Sequence, residues 1–202
     1  DDRELIRYCY RVAGTVGLMM SPLLGVDERR ARPHAVDLGV GMQLTNICRD
    51  VLEDAQNGRV YLPQQRLADA GTSARALLEG RADREAIRRV VRDLLEVSDR
   101  YYESGRSGMR FIPRRSRLAI MVASRVYHAI GDELRRRDCD PMEGRAVVGT
   151  FGKLREVGAA VGSFLNPFGR SEGRDGRHDG SLHRALQGLP GTNPPAGELD
   201  AA

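Results

Sequence analysis

The chain has 202 residues, of which 41% are hydrophobic and 30% charged, and its net charge is +4. This predicts one domain with a sizeable core, or one domain plus a tail. The longest uncharged run, residues 12–26, contains Pro22 and falls short of the ~20 residues that a membrane span needs. The basic residues are spread along the chain, which argues against a nucleic-acid partner.

The three cysteines are few and far apart, which argues against a disulfide framework and a cysteine-based zinc site and favours a reducing cytosol. The four histidines lack the spacing of metal ligands, and two of them lie near the end of the chain. The histidines are His34, His128, His178 and His183.

Apolar residues recur at helical spacing along most of the chain, and the alternation that marks strands is missing. A first stripe runs from Leu5 to Met19, and a second helix is expected from Asp27 or Pro33 to about Asp54. The turn Asn57-Gly58-Arg59 follows it. Further helices are predicted over residues 63–70, 83–103, 113–137 and 141–164. This order of helices and short loops predicts a packed all-α domain.

The composition changes after residue 166. Residues 167–202 are rich in Gly, Pro, Ser, Arg and Asp and poor in large apolar side chains. Such a segment buries too little surface to offset the entropy of ordering it. We therefore predict a helical domain over residues 1–166 and a disordered tail over residues 167–202.

The second predicted helix carries polar side chains on one face. At a rotation of about 100° per residue, Asn46, Asp50 and Asp54 all fall within about 60° of Gln43, with Glu53 at the margin. Most of the surrounding positions are apolar. Two carboxylates at i and i+4 are costly on a buried face unless a cation neutralises them.

Magnesium is well suited to this face, because it takes oxygen ligands and bridges carboxylates to a substrate phosphate. Towards the N-terminus the same face is small and apolar, which favours a ligand with a diphosphate head and a hydrocarbon tail. Arg59 and Tyr61 follow the helix, where they could close over a phosphate. The alternatives from the residues alone are a solvated acidic face or a carboxylate pair for acid–base hydrolysis.

Three stretches of this sequence resemble the phytoene/squalene synthase family, the head-to-head prenyltransferases, and bacterial phytoene synthases most of all. They are YCYRVAGTVGLMM (Tyr8–Met20), MQLTNICRDVLEDAQNGRVYLP (Met42–Pro63) and SRVYHAIGDELRRR (Ser124–Arg137). The likeness extends over about Asp2 to Phe164. It implies an isoprenoid-synthase-type helical bundle, of which this chain would be the C-terminal portion.

The resemblance implies Mg²⁺-dependent condensation, with Mn²⁺ as an alternative metal, of two geranylgeranyl diphosphates through prephytoene diphosphate to phytoene. Asp50, Asp54 and Tyr8 are thereby the candidate catalytic residues. The implied metal ligands are Asp50, Asp54 and Asn46, and Tyr8 is placed near the reacting carbons. The implied substrate-binding residues are Gln43, Asn46, Arg49, Arg59, Tyr61, Tyr127 and Arg145.

One feature departs from the family pattern. The family has a first Asp-rich motif before the segment that Tyr8 matches, but only seven residues precede Tyr8 here. We therefore expect the chain to be part of a longer protein, and the 202 residues alone to be inactive.

Two other functions stay open. One is a squalene, dehydrosqualene or presqualene diphosphate synthase that acts on farnesyl diphosphate, and the other is a non-catalytic helical relative. The expected location is the cytoplasm, with peripheral contact at the inner face of the membrane because substrate and product are lipidic. The oligomeric state is not predicted.

Overall fold

The computed structural model of the protein describes residues 1–26, 28–165 and 178–192. The described residues are largely helical and form no strand, which confirms the predicted all-α class. Their α-helices are α1 (Asp2–Cys9), α2 (Thr15–Leu23), α3 (Ala31–Arg49), α4 (Val51–Gln56), α5 (Gln64–Asp69), α6 (Ala74–Leu78), α7 (Arg84–Ser107), α8 (Arg114–Arg136) and α9 (Thr150–Leu165). Short 3₁₀ helices cover Gly108–Phe111, Pro141–Glu143 and Gly180–Leu186.

A π-helical turn over Tyr10–Gly14 joins α1 to α2, and the two helices lie directly against α3. A Cβ atom on Gly17 would lie 2.3 Å from the carbonyl oxygen of Ala35, and one on Gly39 would lie 2.4 Å from that of Ala13. Both distances are too short for any side chain, so glycine is required at these two positions. This close approach places α2 alongside α3.

Helix α3 is the centre of the fold, because it packs against α7, α8 and the α1–α2 segment. Its side chains Val36, Val40 and Leu44 are fully buried, and α7 contributes Ile87 and Val91 to the same core. Burial of each such side chain contributes about 1.5–3 kcal/mol. The core therefore holds α3 in place on several sides and fixes the direction of its polar face.

The second predicted helix is divided in the structure. It begins at Ala31, and Asp50 separates α3 from α4 with φ −99° and ψ 13°. The hydrogen bonds from the Asp50 amide to Asn46 and from the Asp54 amide to Asp50 persist, at 2.9 and 2.8 Å. The polar side chains therefore keep nearly the helical spacing that was predicted for them.

The helices predicted over residues 83–103 and 113–137 are confirmed as α7 and α8, whereas the last helix begins later than predicted. Pro141 opens a 3₁₀ turn, and α9 begins only at Thr150. Gly144, with φ +95°, ends the turn in a backbone conformation that favours glycine.

Helix α9 leaves large apolar side chains exposed. Phe151, Leu154 and Leu165 are 89%, 61% and 67% exposed. The helix has 16 residues, and no helix in the described ranges combines the length and apolar character that crossing a bilayer requires.

Residues 178–192 pack against the core, which corrects the prediction of a disordered tail for this segment. Leu182 and Leu186 are buried there. The Tyr10 hydroxyl donates to the carbonyl of Pro190 at 2.9 Å, and the Tyr101 hydroxyl donates to that of Leu182 at 2.8 Å. A few well-placed apolar residues and two buried tyrosines thus outweigh an unfavourable average composition. The rest of the predicted tail, residues 167–177 and 193–202, lies outside the described residues.

Candidate active site

A cavity of about 410 Å³ lies between α2, α3 and α8. Its walls are mostly apolar, with Val16 from α2, Leu38 from α3 and Ile120 from α8 among the lining residues. On α3 the lining starts in the first turn and ends at Gln43 and Asn46. The lining thus becomes polar one turn before the carboxylates, as the predicted amphiphilic face requires.

Asp50 lies between two arginines. The Arg49 guanidinium donates to both carboxylate oxygens of Asp50, at 2.7 and 2.5 Å, and the Arg145 Nε atom lies 3.1 Å from Asp50 Oδ1. The hydrogen bonds to Asp50 raise the pKa of Arg49. The structure thus brings together three of the predicted residues, although Arg145 is far from the others in sequence.

Asp54 has a different environment from Asp50. Its partial burial, together with the negative charges of Asp50 and Glu53, raises the pKa of Asp54. Arg59 and Arg49 act in the opposite direction but do not cancel these effects. This concentration of negative charge would be relieved by a bound cation.

Asn46 and Gln43 carry amide groups in the last turns of α3, before Asp50 in the sequence. The Asn46 Nδ2 atom lies 3.4 Å from Gln43 Oε1. Asn46 Oδ1 is buried without a hydrogen-bond partner in the structure as described. A buried carbonyl oxygen of this kind is costly unless a ligand satisfies it. Asn46, Asp50 and Asp54 all offer oxygen atoms, the kind of ligand that Mg²⁺ prefers, so the residue types present fit the predicted metal.

Two of the predicted tyrosines stack on each other. The rings of Tyr8 and Tyr61 lie 4.9 Å apart at 24°. The Tyr61 hydroxyl and partial burial raise the pKa of Tyr8 to about 12, and the Asp54 charge contributes. Asp54, Arg59 and Tyr61 line a small cleft. The structure therefore groups these four residues, with Tyr8 outside the lining of the large cavity as the structure describes it.

Tyr127 lines the large cavity from α8 and is 37% exposed. The predicted residues thus fall into neighbouring groups on and after α3. One group lines the cavity, one surrounds Asp50 and one surrounds Asp54. The cavity group is Gln43, Asn46 and Tyr127.

Sequence reasoning missed a buried cluster at Asp37. Within the described ranges, the ligand atoms of His, Cys, Asp and Glu converge in a group of three at Asp37, His178 and His183. Burial would raise the pKa of Asp37, but the contacts with His178 and His183 lower it instead. No local pattern links residues 141 or more positions apart, so only the fold reveals this cluster.

The family model described as squalene/phytoene synthase matches residues 1–151 of this chain. The chain belongs to the squalene/phytoene synthase family. A 15-cis-phytoene synthase from Enterobacter agglomerans is 42% identical over 79% of this chain and 54% of its own length. One from Pantoea ananas is 38% identical over 80% of this chain and 52% of its own length. The chain therefore spans about half the length of these curated relatives.

Two solved structures have a fold similar to that of this chain. A crystal structure of a dehydrosqualene synthase in complex with a ligand matches with a TM-score of 0.70 and 28% identity, over 80% of this chain and 57% of that one. A squalene synthase from Alicyclobacillus acidocaldarius matches with a TM-score of 0.64 and 22% identity, over 68% of this chain and 52% of that one. The predicted isoprenoid-synthase-type helical fold is therefore confirmed.

Proposed function

We propose that the protein is a Mg²⁺-dependent prenyltransferase that condenses two geranylgeranyl diphosphates to prephytoene diphosphate and rearranges this to phytoene. The observation that carries the proposal is the junction of an apolar cavity with a polar site that extends from the end of α3 into α4. The cavity ends at Gln43 and Asn46, and Asp50 and Asp54 follow. Relatives named phytoene synthase at 37–42% identity favour this chemistry.

The diphosphate group would bind at the polar end. Asp50, Asp54 and Asn46 would hold Mg²⁺, or Mn²⁺ in its place, which neutralises the leaving diphosphate and so favours ionisation to an allylic cation. Arg49 and Arg145, now paired with Asp50, have donors in the fork geometry that suits phosphate oxygens.

The hydrocarbon chains would lie in the apolar cavity. In the whole protein its aliphatic walls would exclude water, which would otherwise quench a carbocation. The Tyr127 ring lines this cavity and can stabilise a nearby cation through its π face. Tyr8 is held by Tyr61 beside the Asp54 group, so we assign it to the diphosphate end of the substrate.

A second function, condensation of farnesyl diphosphate, is favoured by the similarity to a solved dehydrosqualene synthase. Both substrates carry the same diphosphate and differ in hydrocarbon length. The test therefore compares the products formed from geranylgeranyl diphosphate and from farnesyl diphosphate. We also propose a cytoplasmic protein that contacts the membrane peripherally, since both substrates are lipidic.

The test compares Asp54→Asn with Glu53→Gln, an adjacent carboxylate at the margin of the polar face. In the whole protein with Mg²⁺ and geranylgeranyl diphosphate, Asp54→Asn should lower turnover by about 100-fold or more. Glu53→Gln should leave turnover near that of the parent protein. Phytoene is extracted into organic solvent and measured by chromatography, and thermal melting checks that both variants fold.

Calorimetry on the 202-residue chain tests the binding step separately. Mg²⁺-dependent binding of geranylgeranyl diphosphate is expected, and Asp50→Asn should weaken it. Near-parental turnover in Asp54→Asn at limiting Mg²⁺ would overturn the metal assignment. Squalene or dehydrosqualene from farnesyl diphosphate, without phytoene, would establish the second function, and the absence of any product would favour the non-catalytic relative.

A further inference from the structure

Asp37 is a fully buried carboxylate on α3 that the proposed reaction does not use. Two histidines from the docked segment 178–192 reach it. His178 Nε2 lies 2.8 Å from Asp37 Oδ2, and His183 Nε2 lies 2.7 Å from Asp37 Oδ1. The side chain of His183 is also buried, and that of His178 is 16% exposed.

The hydrogen bonds around His183 determine what its Nε2 atom can do. His183 Nδ1 lies 3.2 Å from the carbonyl oxygen of Thr192, and a carbonyl can only accept, so Nδ1 carries the proton. In the neutral imidazole the Nε2 lone pair then faces Asp37. Two lone pairs at 2.7 Å repel each other unless a cation, either a proton or a metal ion, lies between them.

Groups around Asp37 and His183 hold these side chains in the way that metal ligands are usually held. A histidine that binds a metal through one ring nitrogen usually donates the other N–H to a carbonyl or carboxylate, as His183 does. Asp37 is oriented in the same manner, because the Ser104 hydroxyl donates to its Oδ2 atom at 2.5 Å. The carbonyl of Ser104 in turn contacts His34 Nδ1 at 2.7 Å.

We propose that Asp37, His178 and His183 bind a transition-metal ion of the Zn²⁺ type, which fastens segment 178–192 to α3. The three ligand atoms lie within 4.8 Å of one another, so modest side-chain movement closes them around one ion. Two imidazoles and one carboxylate are ligands that Zn²⁺ accepts readily and that Mg²⁺, which takes oxygen, does not favour. The site is thus distinct from the oxygen site at Asp50 and Asp54, and it does not rest on the proposed function.

The experiment titrates chelator-stripped 202-residue protein with ZnCl₂, using calorimetry and elemental analysis. One Zn²⁺ per chain is expected, together with a melting temperature that rises with Zn²⁺ concentration. His183→Ala should weaken binding by at least about 100-fold, and Ser104→Ala, which removes an outer-shell donor, by about 10- to 100-fold. Excess Mg²⁺ should not compete.

His128→Ala is the matched control, because His128 also lies against carboxylates, at 2.9 Å from Asp99 and 3.6 Å from Asp132. It should leave Zn²⁺ binding unchanged, as should Asp50→Asn. If His183→Ala does not fold, His178→Ala replaces it, since that side chain lies nearer the surface. Hydrogen exchange of residues 178–192 with and without Zn²⁺ gives a second measurement, and Zn²⁺ should increase protection.

Three results would overturn the proposal. The first is no Zn²⁺ binding by the parent chain, in which case a proton alone joins His183 to Asp37. The second is equal loss of binding in His128→Ala and His183→Ala. The third is Zn²⁺ binding that leaves the protection of residues 178–192 unchanged.

Discussion

At the scale of single residues, the two carboxylates of the candidate site have different electrostatic environments. Asp50 is paired with Arg49 and Arg145, whereas the pKa of Asp54 is raised by burial and by neighbouring carboxylates. If the proposed function holds, a bound metal ion would relieve the charge repulsion mainly at Asp54, because Asp50 is already paired with arginines. The diphosphate would then bind the guanidinium groups of Arg49 and Arg145 that now contact Asp50.

His128 gives a pH-dependent prediction that is independent of the site. Hydrogen bonds to Asp132 and Asp99 raise the pKa of His128 from 6.5 to about 9. Arg135 binds both carboxylates, and the charge of Arg106 opposes the shift. Because the folded-state pKa is the higher one, the stabilisation is complete below pH 6.5 and is lost as the pH rises to about 9.

The measurement is the free energy of unfolding of the parent protein and of His128→Gln across this pH range. With allowance for solvent screening, the parent should lose about 1–2 kcal/mol more than the variant between pH 6 and pH 9. Equal losses in the two proteins would show that the pKa of His128 is not raised in the folded state.

At the scale of helices, the sequence predicts an element well where an apolar stripe is continuous. Helices α7 and α8 have such stripes. Gln43 and Asn46 lie in α3 and both line the cavity, whereas Asp50 lies just after the end of that helix. The break at Asp50 was not predicted, because it changes the backbone angles of one residue and leaves the hydrogen bonds around it in place.

Contacts between distant elements could not be read from local patterns. The approach of Arg145 to Asp50 depends on the turn that precedes α9, and the predicted helix from Pro141 misplaced that turn. The contact of Asp37 with His178 and His183 depends likewise on how residues 178–192 pack against α3. Side-chain spacing predicts which residues share a helical face, but tertiary packing decides which other residues contact that face.

The glycines where α3 meets the π-helical turn and α2 give a prediction at this scale. Gly39→Ala would place a methyl group 2.4 Å from the carbonyl oxygen of Ala13. The backbones must then separate, and we expect a loss of about 1–3 kcal/mol in the free energy of unfolding, measured with urea. The matched control is Gly158→Ala in α9, where a Cβ meets nothing within 4 Å.

Gly158→Ala should raise stability by about 0.5–1 kcal/mol, because alanine restricts the unfolded chain and favours the helix. A loss of similar size in both variants would contradict this prediction, because Gly158 has no contact for a methyl group to disturb.

At the scale of the whole molecule, the docking of residues 178–192 joins the end of the described chain to its first helix. The Arg7 guanidinium donates to the carbonyl of Ala185 at 3.2 Å, and Tyr10 bonds to Pro190. Average composition predicted disorder here because it weighs all residues equally. Stability depends instead on which residues are buried, and Leu182, His183 and Leu186 all are.

Leu186→Ala tests how firmly this segment is joined to the rest of the molecule. Leu186 is 0% exposed, and truncation of a buried leucine costs about 2–5 kcal/mol when the structure stays folded around it. If the segment undocks at a lower free-energy cost than this, the free energy of unfolding of the whole protein falls by less. Hydrogen exchange across residues 178–192 then becomes fast. For a net loss of about 2 kcal/mol the melting temperature should fall by about 4–8 °C.

The control is Arg184→Ala, an exposed substitution on the same 3₁₀ helix, which should change neither the melting temperature nor the hydrogen exchange. A Leu186→Ala protein with the parent's melting temperature and exchange pattern would show that residues 178–192 do not dock in solution.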